Sequence, residues 1–211
     1  MKAFALFICI LAGIGALILF QYPSLASGEP LLKQGPDLRE SAPEAPLPQI
    51  TLAGGCFWCV ESEFRGREGV VFTRVGYMGG TPDNPTYQDI TTGETGHAEV
   101  VEITYDPEKT NYHDLINFFL RKAHDPTQIN RQGVDVGTQY RSAIFYTDEE
   151  EKQIAQDIIN EINEEGLYDK PIATTLEPLS TFWMGEEYHQ QYYEKYREKT
   201  GRDHIRVLLK Q

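Results

Sequence analysis

The sequence predicts an α+β or α/β sandwich, a mixed β-sheet with helices packed on it. Three observations lead there. Strand-like and helix-like patterns interleave along the chain, the connections between them differ in length, and some strands follow one another directly. No internal repeat is present. The 211 residues fit one domain of ordinary size plus a tail.

Each element has a local reason. Ile50-Thr51-Leu52-Ala53 is a short apolar strand that stops at Gly54-Gly55. Phe57 to Phe64 reads as one short helix, stopped near Gly66. Val70 to Tyr77 alternates apolar and polar residues and is rich in β-branched side chains, hence a strand. Met78 to Gly96 is rich in Gly, Pro, Thr and Asn without a period, which predicts a long loop of the kind that carries function. Ala98 to Tyr105 (AEVVEITY) is the clearest strand. Asn111 to Lys122 predicts a helix with Leu115, Phe118 and Phe119 on one face. Ala123 to Tyr140 is polar and loop-like, and Ser142 to Tyr146 is a strand. Asp148 caps a helix running to about Glu164, with Ile154, Ile158 and Ile162 at four-residue steps. Thr174 to Leu179 is a further strand, and Glu186 to Lys199 an aromatic-studded helix.

Composition excludes several classes. Hydrophobic residues at 40% and charged residues at 24% are those of a globular chain, so collagen, coiled coil and wholesale disorder are excluded. Nineteen basic against 32 acidic residues give a net charge of −13. Such a surface repels a phosphate backbone, so nucleic acid is not an expected partner. Three cysteines do not make a disulfide scaffold, and the position of each matters more than the count.

The first 26 residues read as an address. Met1 and Lys2 give a short basic start, and Ala3 to Phe20 carry no charge. Ser24-Leu25-Ala26 before Ser27 resembles a small-x-small cleavage site. Residues 1–26 are therefore a signal peptide or, since the apolar run just reaches bilayer length, an uncleaved membrane anchor. Either predicts a protein exported across, or anchored to, the cytoplasmic membrane, in the periplasm or cell envelope. Cys9 within this run reads as a small apolar filler. Residues 27–48, with Pro30, Pro36, Pro43, Pro46 and Pro48, form an extended linker. The compact domain is expected over residues 49–211.

The most informative stretch is Gly54-Gly55-Cys56-Phe57-Trp58-Cys59. A strand runs into two glycines, then a cysteine, then a helix. Glycines permit a tight turn and close approach of a ligand. A cysteine at a helix N-terminus meets unpaired N–H groups and the positive dipole end, which favour its thiolate. Cys59, three residues on, shares a face with Cys56, so a small distortion of the first turn allows the pair to cycle between dithiol and disulfide. Three blander readings compete. Two inert buried cysteines do not explain the strand-Gly-Gly-Cys-helix pattern. Half a zinc site lacks partners, since no second Cys pair exists and His97, His113, His124 and His189 are not spaced like a finger. A static disulfide over so small a loop is a poor staple. Phe57 and Trp58 beside the nucleophile are either core residues or the walls of a pocket for an apolar group.

The stretch GCFWC resembles the signature of the A-type peptide methionine sulfoxide reductases. The likeness continues through Gly76-Tyr77-Met78-Gly79-Gly80, Pro85-Thr86-Tyr87 and Thr95-Gly96-His97-Ala98-Glu99. It extends to residues 132–142 (QGVDVGTQYRS) and 187–192 (EYHQQY), so it covers about residues 50–200. It implies a two-layer α/β sandwich around a mixed sheet with a ferredoxin-like core. It also implies reduction of methionine sulfoxide, free or in proteins and of the S epimer only, as a repair of oxidative damage.

Carried over, Cys56 resembles the family nucleophile, attacking the sulfoxide sulfur as thiolate. Glu99 resembles the acid that protonates the leaving oxygen. A carboxyl with that task must stay neutral near pH 7, which burial favours; without the family, an outward residue at a strand start is the more common fate of a Glu. Phe57 and Trp58 resemble the pocket for the S-methyl group, Tyr87 and Tyr140 the hydroxyl donors to the oxygen, and Asp135 a polar-network residue nearby. The product at Cys56 is a sulfenic acid. Many family members resolve it with cysteines near the C-terminus; this sequence departs from that pattern, having none after Cys59. Cys59 is then the expected resolving thiol, and an external thioredoxin-like or dithiol reductant the expected recycler, with no bound cofactor or metal. A monomer acting on oxidised proteins or peptides is expected. Two rival readings remain: a general thiol–disulfide oxidoreductase, and a non-catalytic module binding oxidised or Met-rich peptides.

Overall fold

The structure is a computed structural model that describes residues 46–203. The chain divides into two units, Met1–Ala42 and Pro43–Gln211. The first, with the expected leader and most of the expected linker, lies outside the described residues. Among the described residues no helix is long and apolar enough to cross a membrane.

The elements, in chain order, begin with β1 (Gln49–Gly54), α1 (Phe57–Arg65), β2 (Val70–Met78), α2 (Tyr87–Ile90), β3 (Ala98–Tyr105) and α3 (Tyr112–Phe118). After a hairpin of β4 (Arg131–Gln132) and β5 (Asp135–Val136) come β6 (Ser142–Tyr146) and α4 (Glu149–Glu165). The described chain ends with β7 (Thr175–Pro178), β8 (Trp183–Met184) and α5 (Tyr192–Thr200). Six strands form one sheet in the order β7-β6-β1-β3-β2-β8. Its pairs are antiparallel except β6 with β7, so the sheet is mixed, as the sequence predicts.

The period-2 rule sorts the strand residues onto two faces. Ile50, Leu52, Val75, Tyr77, Val101, Ile103 and Ile144 point into the larger core beneath the helices. They meet Phe57, Val60 and Phe64 of α1, Leu115 and Ile116 of α3, and Ile158 and Ile162 of α4. Ala53, Met78, Ala98, Val100, Ala143 and Phe145 form the smaller core on the opposite face. Every residue of β3 is buried, since both faces of this central strand are covered.

Caps fix the helices. The Asn111 side chain accepts the Asp114 N–H at 2.9 Å to start α3, and Asp148 accepts the Glu151 N–H at 2.9 Å to start α4. Gly166, in the left-handed region, closes α4.

Three expectations need correction. The loop expected over Met78–Gly96 contains α2, started by a capping box in which Thr86 and Asp89 bond each other's backbone N–H. The loop expected over Ala123–Tyr140 contains the β4–β5 hairpin and a 3₁₀ turn at Thr138–Tyr140. The helix expected over Glu186–Lys199 is broken. A 3₁₀ turn at Glu187–His189 leads to Gln191 at φ +49°, and only then does α5 begin. The break is tertiary: the Gln190 side chain accepts the Val75 N–H and donates to the Val75 and Gly185 carbonyls, each at 2.9 Å. It acts as an extra backbone rung on the β2 edge.

The turn that presents α1 depends on Gly55. Its φ is +94°, and a Cβ there would lie 2.5 Å from the Cβ of Gln132 on β4. Gly55→Ala is therefore expected to cost about 2–4 kcal/mol of stability, by backbone strain and overlap together. Gly66→Ala, where a Cβ meets nothing within 4 Å, serves as the near-neutral comparison. Urea unfolding of the two variants checks the contrast.

Candidate active site

Cys56 is the N-cap residue of α1, with an extended ψ of 119°, and its side chain makes no capping bond. Its carbonyl accepts the Cys59 and Val60 N–H groups at 3.0 and 3.3 Å. The first N–H of the helix, on Phe57, has no partner within α1 and donates to Glu99 Oε2 at 2.9 Å. A carboxyl 42 residues away in sequence thus covers the helix mouth beside the thiol.

Glu99 reaches this place because it shares strand parity with Val101, Ile103 and Tyr105, and so faces the helix layer. It is 2% exposed. Burial pushes its carboxyl up to about 8, opposed by the Phe57 N–H bond and assisted by the charges of Asp135 and Cys59. At neutral pH the group is mostly a neutral acid.

Cys56 and Cys59 are both half-buried thiols with no disulfide between them. The groups around Cys56 oppose the thiolate that the helix dipole favours. A hydrogen bond with Cys59, then burial, then the Glu99 charge push the Cys56 thiol up, against a backbone N–H of Cys59 that lowers it. A helix terminus contributes only a fraction of a charge, which the surrounding groups outweigh. A neutral Glu99 removes one of the four influences that oppose a thiolate at Cys56.

The aromatic residues close one side. Phe57 is fully buried, with ring centroids 5.9 Å from Tyr77, 6.4 Å from Tyr87 and 4.9 Å from His189. The ring belongs to the core, at the end of α1 that carries Cys56. Trp58 is half-buried; its indole N–H donates to His189 Nδ1 at 3.0 Å, and its ring stacks on Tyr192 at 3.8 Å and 9°. Tyr87, at the start of α2, has its phenol pushed up to about 12 by burial and the Glu99 charge; a hydrogen bond from Tyr140 opposes this. The Tyr140 phenol is also raised, by burial and then by Glu99. Asp135, on β5, is half-buried, and burial raises its carboxyl. Its hairpin is tied to the segment after α3 by Gln132, which accepts the Asp125 N–H at 3.2 Å and donates to the Asp125 carbonyl at 2.9 Å. All eight expected residues are thus drawn to one end of α1: six gather about Cys56, and Cys59 lies one turn on.

Sequence reasoning gave no role to Glu186, His189, Tyr192 or Tyr193. Glu186 accepts the Tyr77 hydroxyl at 2.7 Å and the Tyr87 N–H at 2.8 Å, fixing α2 to β2. His189 is 1% exposed; burial lowers its pKa, and Nδ1 accepts from Trp58, so the neutral ring carries its proton on Nε2. Tyr193 lies on α5 with its hydroxyl 3.0 Å from Cys59 Sγ. The aromatic run EYHQQYY was the one available signal for this segment.

Two thiols within reach of each other, next to a buried carboxyl and aromatic side chains, can take an oxygen from a small oxygen donor and end as a disulfide, the oxygen leaving as water. That chemistry puts the protein among thiol-based oxidoreductases. The comparisons are more specific. The family profile for peptide methionine sulfoxide reductase matches residues 48–211. The MsrA of Methanoculleus marisnigri is 53% identical over 154 residues, 73% of this chain and 93% of that protein. The MsrA of Methanothermobacter thermautotrophicus is 54% identical over 147 residues, 70% of this chain and 86% of that protein. Among solved structures, methionine sulfoxide reductase A of Corynebacterium diphtheriae superimposes with a TM-score of 0.66 at 34% identity, covering 82% of this chain and 84% of that one. Saccharomyces cerevisiae Mxr1 in reduced form also gives 0.66, at 32% identity, covering 78% and 92%. The chain belongs to the peptide methionine sulfoxide reductase family, A type, and is an oxidoreductase acting on the sulfur of the S-sulfoxide.

The buried carboxyls make stability depend on pH. For Glu99 the unfolded value is 4.5 and the folded value about 8; for Glu61, buried under Thr73 and Gln191, the folded value is about 7. Both bind a proton more tightly when folded, so their contribution is fully present below 4.5 and is lost as pH rises through these values. Urea midpoints are expected to fall between pH 4.5 and 8. Glu99→Gln flattens the upper part of that fall; an unchanged slope refutes the burial argument.

Proposed function

We propose that Cys56 is the nucleophile, Glu99 the acid and Cys59 the resolving thiol in the reduction of methionine S-sulfoxide, protein-bound or free. The observation that carries this reading is the buried Glu99 carboxyl, neutral at physiological pH and bonded to the N–H next to Cys56.

The first step balances without an outside proton. Cys56 Sγ attacks the sulfoxide sulfur as the oxygen takes the Glu99 proton. The emptied carboxylate accepts the Cys56 proton in return. The oxygen passes to Cys56, methionine leaves, and the cysteine becomes a sulfenic acid: sulfoxide sulfur gains two electrons and Cys56 loses two. Tyr87 and Tyr140, with phenols held protonated, serve as donors to the sulfoxide oxygen. Asp135 favours the neutral form of Glu99 by its charge. Phe57 and the Trp58 face accept the S-methyl group and reject the polar oxygen, which selects the epimer. Cys59 then displaces the sulfenic oxygen as water, and a thioredoxin-like or dithiol reductant reopens the Cys56–Cys59 disulfide. The apolar run in residues 1–26 supports action outside the cytoplasm, or at the outer face of its membrane. Repair of oxidised methionines in envelope proteins is the role that follows.

Glu99→Gln is expected to slow methionine release in a single turnover by about 10²–10⁴-fold while leaving the protein folded. In the wild type the same rate is expected to fall as pH rises through about 8, as Glu99 loses its proton. A rate that instead rises through that pH shows Glu99 acting first as a base on Cys56. Cys59→Ser is expected to release one methionine per enzyme and then stop when thioredoxin is the reductant. Steady turnover by that variant refutes the resolving role.

A further inference from the structure

The helices α1 and α5 are joined by a row of contacts at successive positions. The Trp58 ring lies on Tyr192. Glu61 accepts the Gln191 backbone N–H at 2.9 Å and its side-chain amide at 3.3 Å. Arg65 donates to Glu194 at 2.7 Å. Between these clamps the Tyr193 hydroxyl sits 3.0 Å from Cys59 Sγ. Its position is set from both sides along α5, by Gln191 and Glu194, so the phenol is held against the sulfur by contacts it does not itself make.

We propose that Tyr193 is a positioning residue for the resolving step, donating its hydroxyl hydrogen to Cys59 Sγ as that sulfur becomes the attacking nucleophile. The inference rests on Cys59 being the resolving thiol. In the step, Cys59 Sγ forms a bond to Cys56 Sγ and the Cys56 S–O bond breaks. The oxygen leaves as water with the Cys59 proton, Cys59 is oxidised and the sulfenic sulfur reduced. Charge accumulates on Cys59 as its proton departs, and a fixed O–H donor stabilises it there. Burial and the neighbouring Cys59 keep the phenol protonated, so the bond runs from oxygen to sulfur during the step. The same contact orients Cys59, which matters because neighbours in a helical first turn are slightly too far apart to bridge without distortion. Among the titratable groups that act on Cys59 are Cys56 on its own helix, Glu99 from β3 and Tyr193 from α5.

The test is a rapid-mixing single turnover with a methionine sulfoxide peptide, reading methionine release and Cys56–Cys59 disulfide formation separately. Tyr193→Phe keeps the ring and its packing. It is expected to slow disulfide formation about tenfold and to raise the pH midpoint of that step by about one unit, with methionine release within about twofold of wild type. Disulfide formation at the wild-type rate across the pH range overturns the proposal. So does an equal fall in both steps, which marks a structural role. Cys59→Ser run in parallel separates the two levels: continued thioredoxin-driven turnover in that variant removes the resolving assignment itself. A blocked Cys59→Ser beside an unaffected Tyr193→Phe removes only the role of Tyr193.

Discussion

A helix that begins inside a protein presents N–H groups that its own turns do not satisfy, and each needs an acceptor. In α1 the acceptor for Phe57 is the Glu99 carboxyl, delivered from the central strand of the sheet. The rest of the site is arranged around that contact. It brings the acid to the thiol, it holds the aromatic stretch of α1 against β3, and it opposes the burial that makes Glu99 neutral. The balance is a compromise. A stronger set of donors would ionise the carboxyl and leave no proton to give, whereas none at all would leave the helix terminus unsatisfied.

The site keeps its charges low. The Glu99 carboxyl is mostly protonated, the Cys56 thiol is pushed up, the Tyr87 and Tyr140 phenols are raised, and His189 is kept neutral. Desolvation contributes to every one of these. Surroundings of this kind disfavour an ion, because they have no countercharge to offer. Glu186, less buried and lowered in pKa by donors from Tyr87 and Tyr77, stands at the edge as an ionised anchor, not a participant.

Much of this was legible in the chain. Alternation gave β2, the run AEVVEITY gave β3, the cap at Asp148 gave the start of α4, and the strand-Gly-Gly-Cys-helix pattern located the thiol. The parity of Glu99 with Val101 and Ile103 also lay in the sequence and argues against an outward residue. Thr86 and Asp89 carried a capping-box spacing for α2 within a segment that composition alone assigns to a loop. The break before α5 was not legible. A glutamine reads as helix-compatible, and only the β2 edge beside Gln190 turns its amide into a substitute for backbone.

Local order was therefore decided by the sequence: which residues alternate, where helices begin, and that Cys56 sits between a strand and a helix. Covalent spacing and backbone propensity are enough for that. The tertiary structure alone decided that the Glu99 carboxyl and the Cys56 thiol are both pushed up, and that Tyr193 meets Cys59 across 134 positions of chain. A protonation state is set by the solvent excluded and the charges gathered around a group. Those are supplied by segments far apart in the chain, so no reading of neighbours in sequence contains them.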